Sequence, residues 1–183
     1  MLEAAAELLA VDDVHELTVS AVATQAELTT GAFYRYFRDL DELLQELAEI
    51  ELAKATEVLR PIFAREHESA VAMWLDMVDG IVAYLEEERV MRVIFQHRRR
   101  TRVTRLAAGR TVEPISPWRR LADYLDGRGL LSGELDDYAR LQIELLWLQT
   151  EELLDRAFRE GVPADPQVCR VMRENLQAQA ALL

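Results

Sequence analysis

The sequence predicts an all-α protein, and three observations carry that prediction. Only 7 glycines and 5 prolines occur in 183 residues, half of which are hydrophobic, so few positions break regular structure. Apolar residues recur at three- and four-residue spacing along most of the chain. No segment alternates apolar with polar residues as a half-buried strand would, and no internal repeat is present.

Leu2, Ala5, Ala6 and Leu9 define a short amphipathic helix, expected to end between Val11 and His15 where Asp12 and Asp13 interrupt it. Thr18 can cap the amides of a second short helix, TVSAVATQA, with Val19, Val22, Ala23 and Ala26 facing inward. Glu27 and Leu28 then form a tight turn, and Thr29 can cap a third helix reaching about Tyr36. Phe33 and Phe37, four residues apart, face inward, while Tyr34 and Tyr36 point elsewhere. Asp39 or Asp41 opens a long fourth helix, its early acids suiting the positive end of the helix dipole, and Pro61 is expected to kink or end it. SAVAMWLDMVDGIVAYLEEE and RVMRVIFQHRRR supply two more helices, and the looser GRTVEPISP comes after them. Ser116 or Pro117 starts another helix, which stops at Gly127 and Gly129. ELDDYARLQIELLWLQTEELLDRAFREG is long and helical, Asp136 and Asp137 serving as capping charge; DPQVCRVMRENLQAQAALL is the last helix, with Pro166 in its first turn.

Composition excludes several classes of function. A net charge of −12 opposes indiscriminate binding to nucleic acid or anionic membrane, because such binding needs cations that displace counterions. Any DNA contact must therefore be local. MLEAAAELLA lacks the basic flank of a secretory signal, and no apolar run approaches the length of a membrane span, so a soluble cytoplasmic protein is expected. Cys169 stands alone and reads as a small packing residue. His15, His67 and His97 lie in separate segments, no glycine-rich phosphate loop occurs, and nothing gathers Ser, His and Asp. Neither a metal, a cofactor nor an enzymatic activity is expected. From Arg89 through Val112 there is no acid, and Arg98, Arg99, Arg100, Arg102, Arg105 and Arg110 fall in that stretch. A solvated loop after a helix C-terminus, a nucleic-acid patch and an anion-attracting surface are all open for it.

The segments LEAAAELLA, TVSAVATQAEL and TTGAFYRYF, followed by the acid-Leu-Leu start of the fourth helix, resemble the DNA-binding region of the TetR family of transcriptional regulators over roughly the first fifty residues. Farther along, the helix order and GRGLLSGELDDYARL are similar to the family. The resemblance implies a three-helix helix-turn-helix head at residues 1–46 and a ligand-binding and dimerisation domain at 47–183. It places Thr18, Thr29, Thr30, Gly31, Ala32, Tyr34, Arg35 and Tyr36 at double-stranded operator DNA. The chemistry suits that role: capped helix N-termini and hydroxyls can meet phosphates, and Gly31 lets backbone approach closely. The pattern departs from the family's at Asp13 and Glu27, where glycines are common, and at Leu40, where a phosphate-binding lysine is common. No basic arm precedes the first helix in this sequence, so a minor-groove arm is expected only if further residues lie upstream of Met1. Residues 1–50 hold eleven acids against Arg35 and Arg38, a net of −9. The resemblance therefore supports a DNA-binding regulator, a repressor by family habit, and the acidity supports a second reading: a helical ligand-binding or protein-interaction module whose head has lost DNA binding.

Between Ile143 and Leu148 the long helix is apolar nearly all round and must be covered on two sides. Its own core can cover one side and a second copy the other, with the last helix (Val168, Val171, Met172, Leu176) beside it, giving a homodimer through the last two helices. For a small-molecule effector of unknown identity, the aromatic and sulfur-containing candidates are Trp74, Met77, Tyr84, Phe95, Trp118 and Trp147.

Overall fold

A computed structural model of the chain describes residues 1–97, 117–181 and 183. All regular structure among these residues is helical: α1 (Leu2–Leu9), α2 (Val19–Gln25), α3 (Thr30–Phe33), α4 (Leu40–Ala64), α5 (Ala70–Glu87), α6 (89–97), α7 (Pro117–Gly127), α8 (Asp137–Ala157) and α9 (Pro166–Ala180). The arginine run from Arg98 to Arg110, the GRTVEPISP segment and Ser116 lie outside the described residues.

The chain forms two compact units. The first holds Met1–Val58 and the chain from Glu87 through the described part of α6; the second holds Leu59–Glu86 and the described residues from 117 onward. The expected boundary at 46/47 falls inside α4, which runs unbroken across it.

The first unit closes over a small apolar core. Ala5 and Leu9 of α1, Val22 of α2, Phe33 and Phe37, and Leu43, Leu44 and Leu47 of α4 are buried together, and Ile94 of α6 joins them. Leu17, in the connection between α1 and α2, is buried in the same cluster. The helix starts obey the side-chain chemistry read from the sequence. Thr18 Oγ1 accepts from Ala21 N at 3.1 Å and Thr29 Oγ1 from Ala32 N at 3.2 Å, each satisfying an amide that its helix leaves open.

Three boundaries differ from expectation. Helix α1 ends at Leu9, ahead of the Val11–His15 stretch, because Val11 N and Asp12 N both turn back to Leu8 O. Regular α3 stops at Phe33; Arg35 N and Tyr36 N bond to the carbonyls of Ala32 and Phe33, a tightened turn that still delivers Phe37 to the core. Pro61 does not end α4, which continues to Ala64. Pro61 is exposed, and only three residues of the helix follow it.

In the second unit, α8 packs on α7 and α9. Met73, Trp74, Met77 and Val78 of α5 are buried, as are Leu121 and Leu125 of α7, Ile143, Leu146 and Leu154 of α8, and Met172 and Leu176 of α9. The polar edge of Trp74 is satisfied inside: its Nε1 donates to Thr150 Oγ1 at 3.1 Å, and that hydroxyl donates to Leu146 O at 2.8 Å. Gly80 faces Leu59 and Ile62 of α4, and a Cβ there would collide with both side chains. The exposed end of α4 is capped from afar, Phe63 O accepting from Tyr124 Oη at 2.8 Å and Arg128 Nη2 at 3.2 Å. Asp136 and Asp165 cap α8 and α9, and Pro166 occupies the first turn of α9.

Candidate nucleic-acid interface

The segment from Thr18 to Phe37 folds as two short helices joined by a turn with a defined hydrogen-bond pattern. At the end of α2, Leu28 N bonds to Ala23 O at 2.8 Å and Glu27 N to Thr24 O at 3.0 Å. This is a Schellman turn, whose left-handed position usually takes glycine. Glu27 occupies that position with φ of 55°. The departure from the family pattern at Glu27 thus changes the residue while keeping the turn.

Two rings fasten the chain after this turn. Phe33 is fully buried and Phe37 nearly so, their centroids 5.6 Å apart. Tyr34 and Tyr36 are 60% and 71% exposed, and Tyr34 stands edge-on to Phe33. The phenolic hydroxyls are therefore presented to solvent from a turn whose backbone is pinned by the phenylalanines. Of the other residues expected at DNA, Thr18, Thr29, Thr30, Gly31 and Arg35 are exposed and Ala32 is half-buried. All eight stand in this one segment of the first unit.

Arg35 makes no ion pair with any described residue, whereas Arg38 is engaged: Glu42 Oε2 accepts from its Nε at 3.2 Å and from its backbone amide at 2.6 Å. Asp39 Oδ1 in turn accepts from Glu42 N at 2.9 Å, so Asp39 and Glu42 together cap α4. The backbone hydrogen bond from Arg38 is the largest cause holding the Glu42 carboxyl below its ordinary range. Glu7 accepts from Gln25 Nε2 at 2.8 Å, a polar tie between α1 and α2. Leu40, where the family commonly has a lysine, is half-buried against the head core and offers no charge.

The residues singled out for an effector are distributed. Trp74, Met77 and Tyr84 are buried in the second unit, where Trp118 and Trp147 are half-buried. Trp147 Nε1 donates to Glu151 Oε1 at 3.0 Å, and the Arg119 guanidinium lies over the Trp118 ring. Phe95 sits on α6, in the first unit. Burial, followed by the carboxylates of Glu86, Asp165 and Asp79, pushes the Cys169 thiol up, which disfavours a reactive thiolate. No group of three or more metal-ligating side chains occurs among the described residues.

Two interactions in the first unit are absent from the sequence reading. Arg89 donates to three carbonyls at the end of α1, and Asp39 pairs with Glu42 as a cap rather than as a simple dipole charge. The acid three residues after Asp39 was the available signal for the second; the first, between residues about eighty apart, had none.

Residues 1–47 match the family model of bacterial regulatory proteins, tetR family. No curated protein matches the chain significantly. Among solved structures, the chain is similar to a TetR-family transcriptional regulator from Streptomyces coelicolor, with 21% identity, 98% of this chain and 95% of that one covered, and a TM-score of 0.68. It is also similar to the fatty acid degradation regulator FadR from Bacillus halodurans, with 16% identity, 98% and 92% coverage and a TM-score of 0.65. A TetR-like transcriptional regulator from a Rhodococcus species gives 18% identity, 98% and 91% coverage and a TM-score of 0.59. These likenesses establish the fold: a head that matches the tetR-family model, followed by a helical domain folded like those of the TetR-type structures.

Proposed function

We propose that this chain, whose head matches the tetR family and whose fold is that of TetR-type regulators, is a DNA-binding transcriptional repressor that acts as a homodimer and responds to a small molecule. The observation that carries the DNA-binding part is the α2–α3 segment itself. Its two helices start with capped, exposed N-termini, its rings at Phe33 and Phe37 are locked inside, and Tyr34, Arg35 and Tyr36 are outside. A rigid element that exposes hydroxyls and one cation beside open helix N-termini suits a phosphate backbone, with Thr29, Thr30, Gly31 and Ala32 near base edges. In this reading residues 1–46 contact DNA, and 47–183 bind ligand and pair the subunits.

Two opposite stripes on α8 support the homodimer. Ile143, Leu146, Thr150 and Leu154 are buried, while Tyr138, Leu141 and Leu145 are exposed at helical spacing and Leu148 is half-buried. A second copy laid on α8 and α9 would cover the exposed stripe and place two heads on one duplex. The proposed effector is a small molecule of unknown identity; of its candidate residues, Trp74, Met77, Tyr84, Trp118 and Trp147 share the second unit, and Phe95 lies in the first. The effector can alter DNA affinity only by binding one arrangement of the dimer better than another.

The test is fluorescence anisotropy with duplexes from the DNA flanking the chain's own gene, over a salt series. Wild type should bind saturably and with sequence preference. Arg35→Ala should weaken binding about tenfold and lower the salt slope by about one, and adding Tyr34→Phe should weaken it further. The pairing of Arg38 with Glu42 favours the competing reading, a head that no longer binds DNA. Absence of sequence-dependent binding even at low salt would select that reading.

A further inference from the structure

A helix ends with carbonyls that have no partner within it, and α1 ends without a cation in its last turn. The missing partner comes from α6. Arg89 Nε donates to Leu9 O at 3.3 Å, and its Nη2 donates to Val11 O at 3.2 Å and to Asp12 O at 3.3 Å. One guanidinium thus closes the end of α1 and holds the next turn of chain. Its planar fork suits several carbonyls at once, which an ammonium on the same stem would not match. Beside it, Val90, Val93 and Ile94 of α6 pack on the head core. Val11 and Asp12 begin the connection from α1 to Thr18, and Thr18 caps α2. The tie therefore comes from beyond the 47 residues that the family model matches.

We infer that Arg89 is a positioning residue for the DNA-binding head: by fixing the carbonyls of Leu9, Val11 and Asp12 it sets the path into α2, and with it the placement of Thr18 and the α2–α3 pair against a phosphate backbone. This rests on the DNA-binding reading of the head. Without the guanidinium, the connection 10–18 keeps its covalent path and its anchor at Leu17, but three carbonyls lose their donors. Head geometry then loosens while the cores of both units stay filled.

The experiment compares full-length wild type, Arg89→Gln and Arg89→Lys by anisotropy on flanking-gene duplexes, by amide hydrogen exchange without DNA, and by thermal melting. Arg89→Gln should exchange faster across residues 10–18 and bind the preferred duplex about tenfold more weakly, with an unchanged salt slope if Arg89 acts on the carbonyls alone and not on a phosphate. Arg89→Lys should recover part of both losses. Equal protection of 10–18 in Arg89→Gln and wild type overturns the inference, whatever the DNA result. So does a salt slope reduced by about one, which would make Arg89 a phosphate contact. Affinity lost only in proportion to the fraction unfolded would reduce Arg89 to general stability and overturn it too. A wild type that binds no duplex sinks the DNA-binding reading; faster exchange in Arg89→Gln then marks that failure as separate from the failure of the tie.

Discussion

The turn between α2 and α3 shows how one residue can carry strain for an intact motif. The same Schellman pattern ends α7, where Leu130 N bonds to Leu125 O and Gly129 N to Asp126 O, and there glycine holds the left-handed position at φ 63°. After α2 a glutamate holds it. A residue with a Cβ in that conformation costs about 1–2 kcal/mol, part of which glycine would return as chain entropy. Glu27→Gly should therefore stabilise the protein by about 0.5–1 kcal/mol in urea titrations, while Glu27→Gln, which keeps the Cβ, should leave stability nearly unchanged. The threonine caps and the inward phenylalanines were legible in the sequence because each depends on neighbours within four residues. The conformation of Glu27 was not, since a glutamate carries no signal for a left-handed backbone.

Helix ends are where element-scale expectations were least accurate. The start of α4 is set by Asp39 and Glu42, and the low position of the Glu42 carboxyl gives it a pH dependence. A carboxyl lowered by folding contributes stability that is fully present above its unfolded value and is lost as pH falls through the folded one. Acid titration of Glu42→Gln should show a shallower loss of head stability below the ordinary glutamate range than wild type, read by near-ultraviolet circular dichroism and amide exchange at the start of α4. The salt-dependent part of this interaction is small because the pair is exposed. Helices α1 and α4 both lack a cation in their last turn, and both receive distant donors, Arg89 for α1 and Tyr124 with Arg128 for α4. Neither set of donors is apparent in the residues that flank the helix ends. Local capping rules have no access to a donor that arrives from another helix.

At the scale of the molecule, α8 carries an apolar stripe that no described residue buries. Leu141 and Leu145 are each 51% exposed. Leu141→Asp with Leu145→Asp should convert a dimer to a monomer in light scattering while helix content is retained, because the substitutions leave the buried stripe of Ile143, Leu146 and Leu154 untouched. An unchanged mass would remove α8 as the interface. Periodicity, scarce glycine and proline, and hydroxyls or acids at helix starts determined the all-helical class, the order of elements and the short α2–α3 segment with its inner and outer aromatics. These depend on interactions along the chain, whose spacing is written in the order of residues. Tertiary structure alone decided that α6 joins the head, that Arg89 closes α1, that Trp74 meets Thr150, and that Arg38 is spent on Glu42 while Arg35 stays unpaired among the described residues. Those outcomes depend on which helix faces which, and in a chain of many amphipathic helices the shared pattern of apolar stripes permits several packings until side-chain shape and hydrogen-bond satisfaction select one.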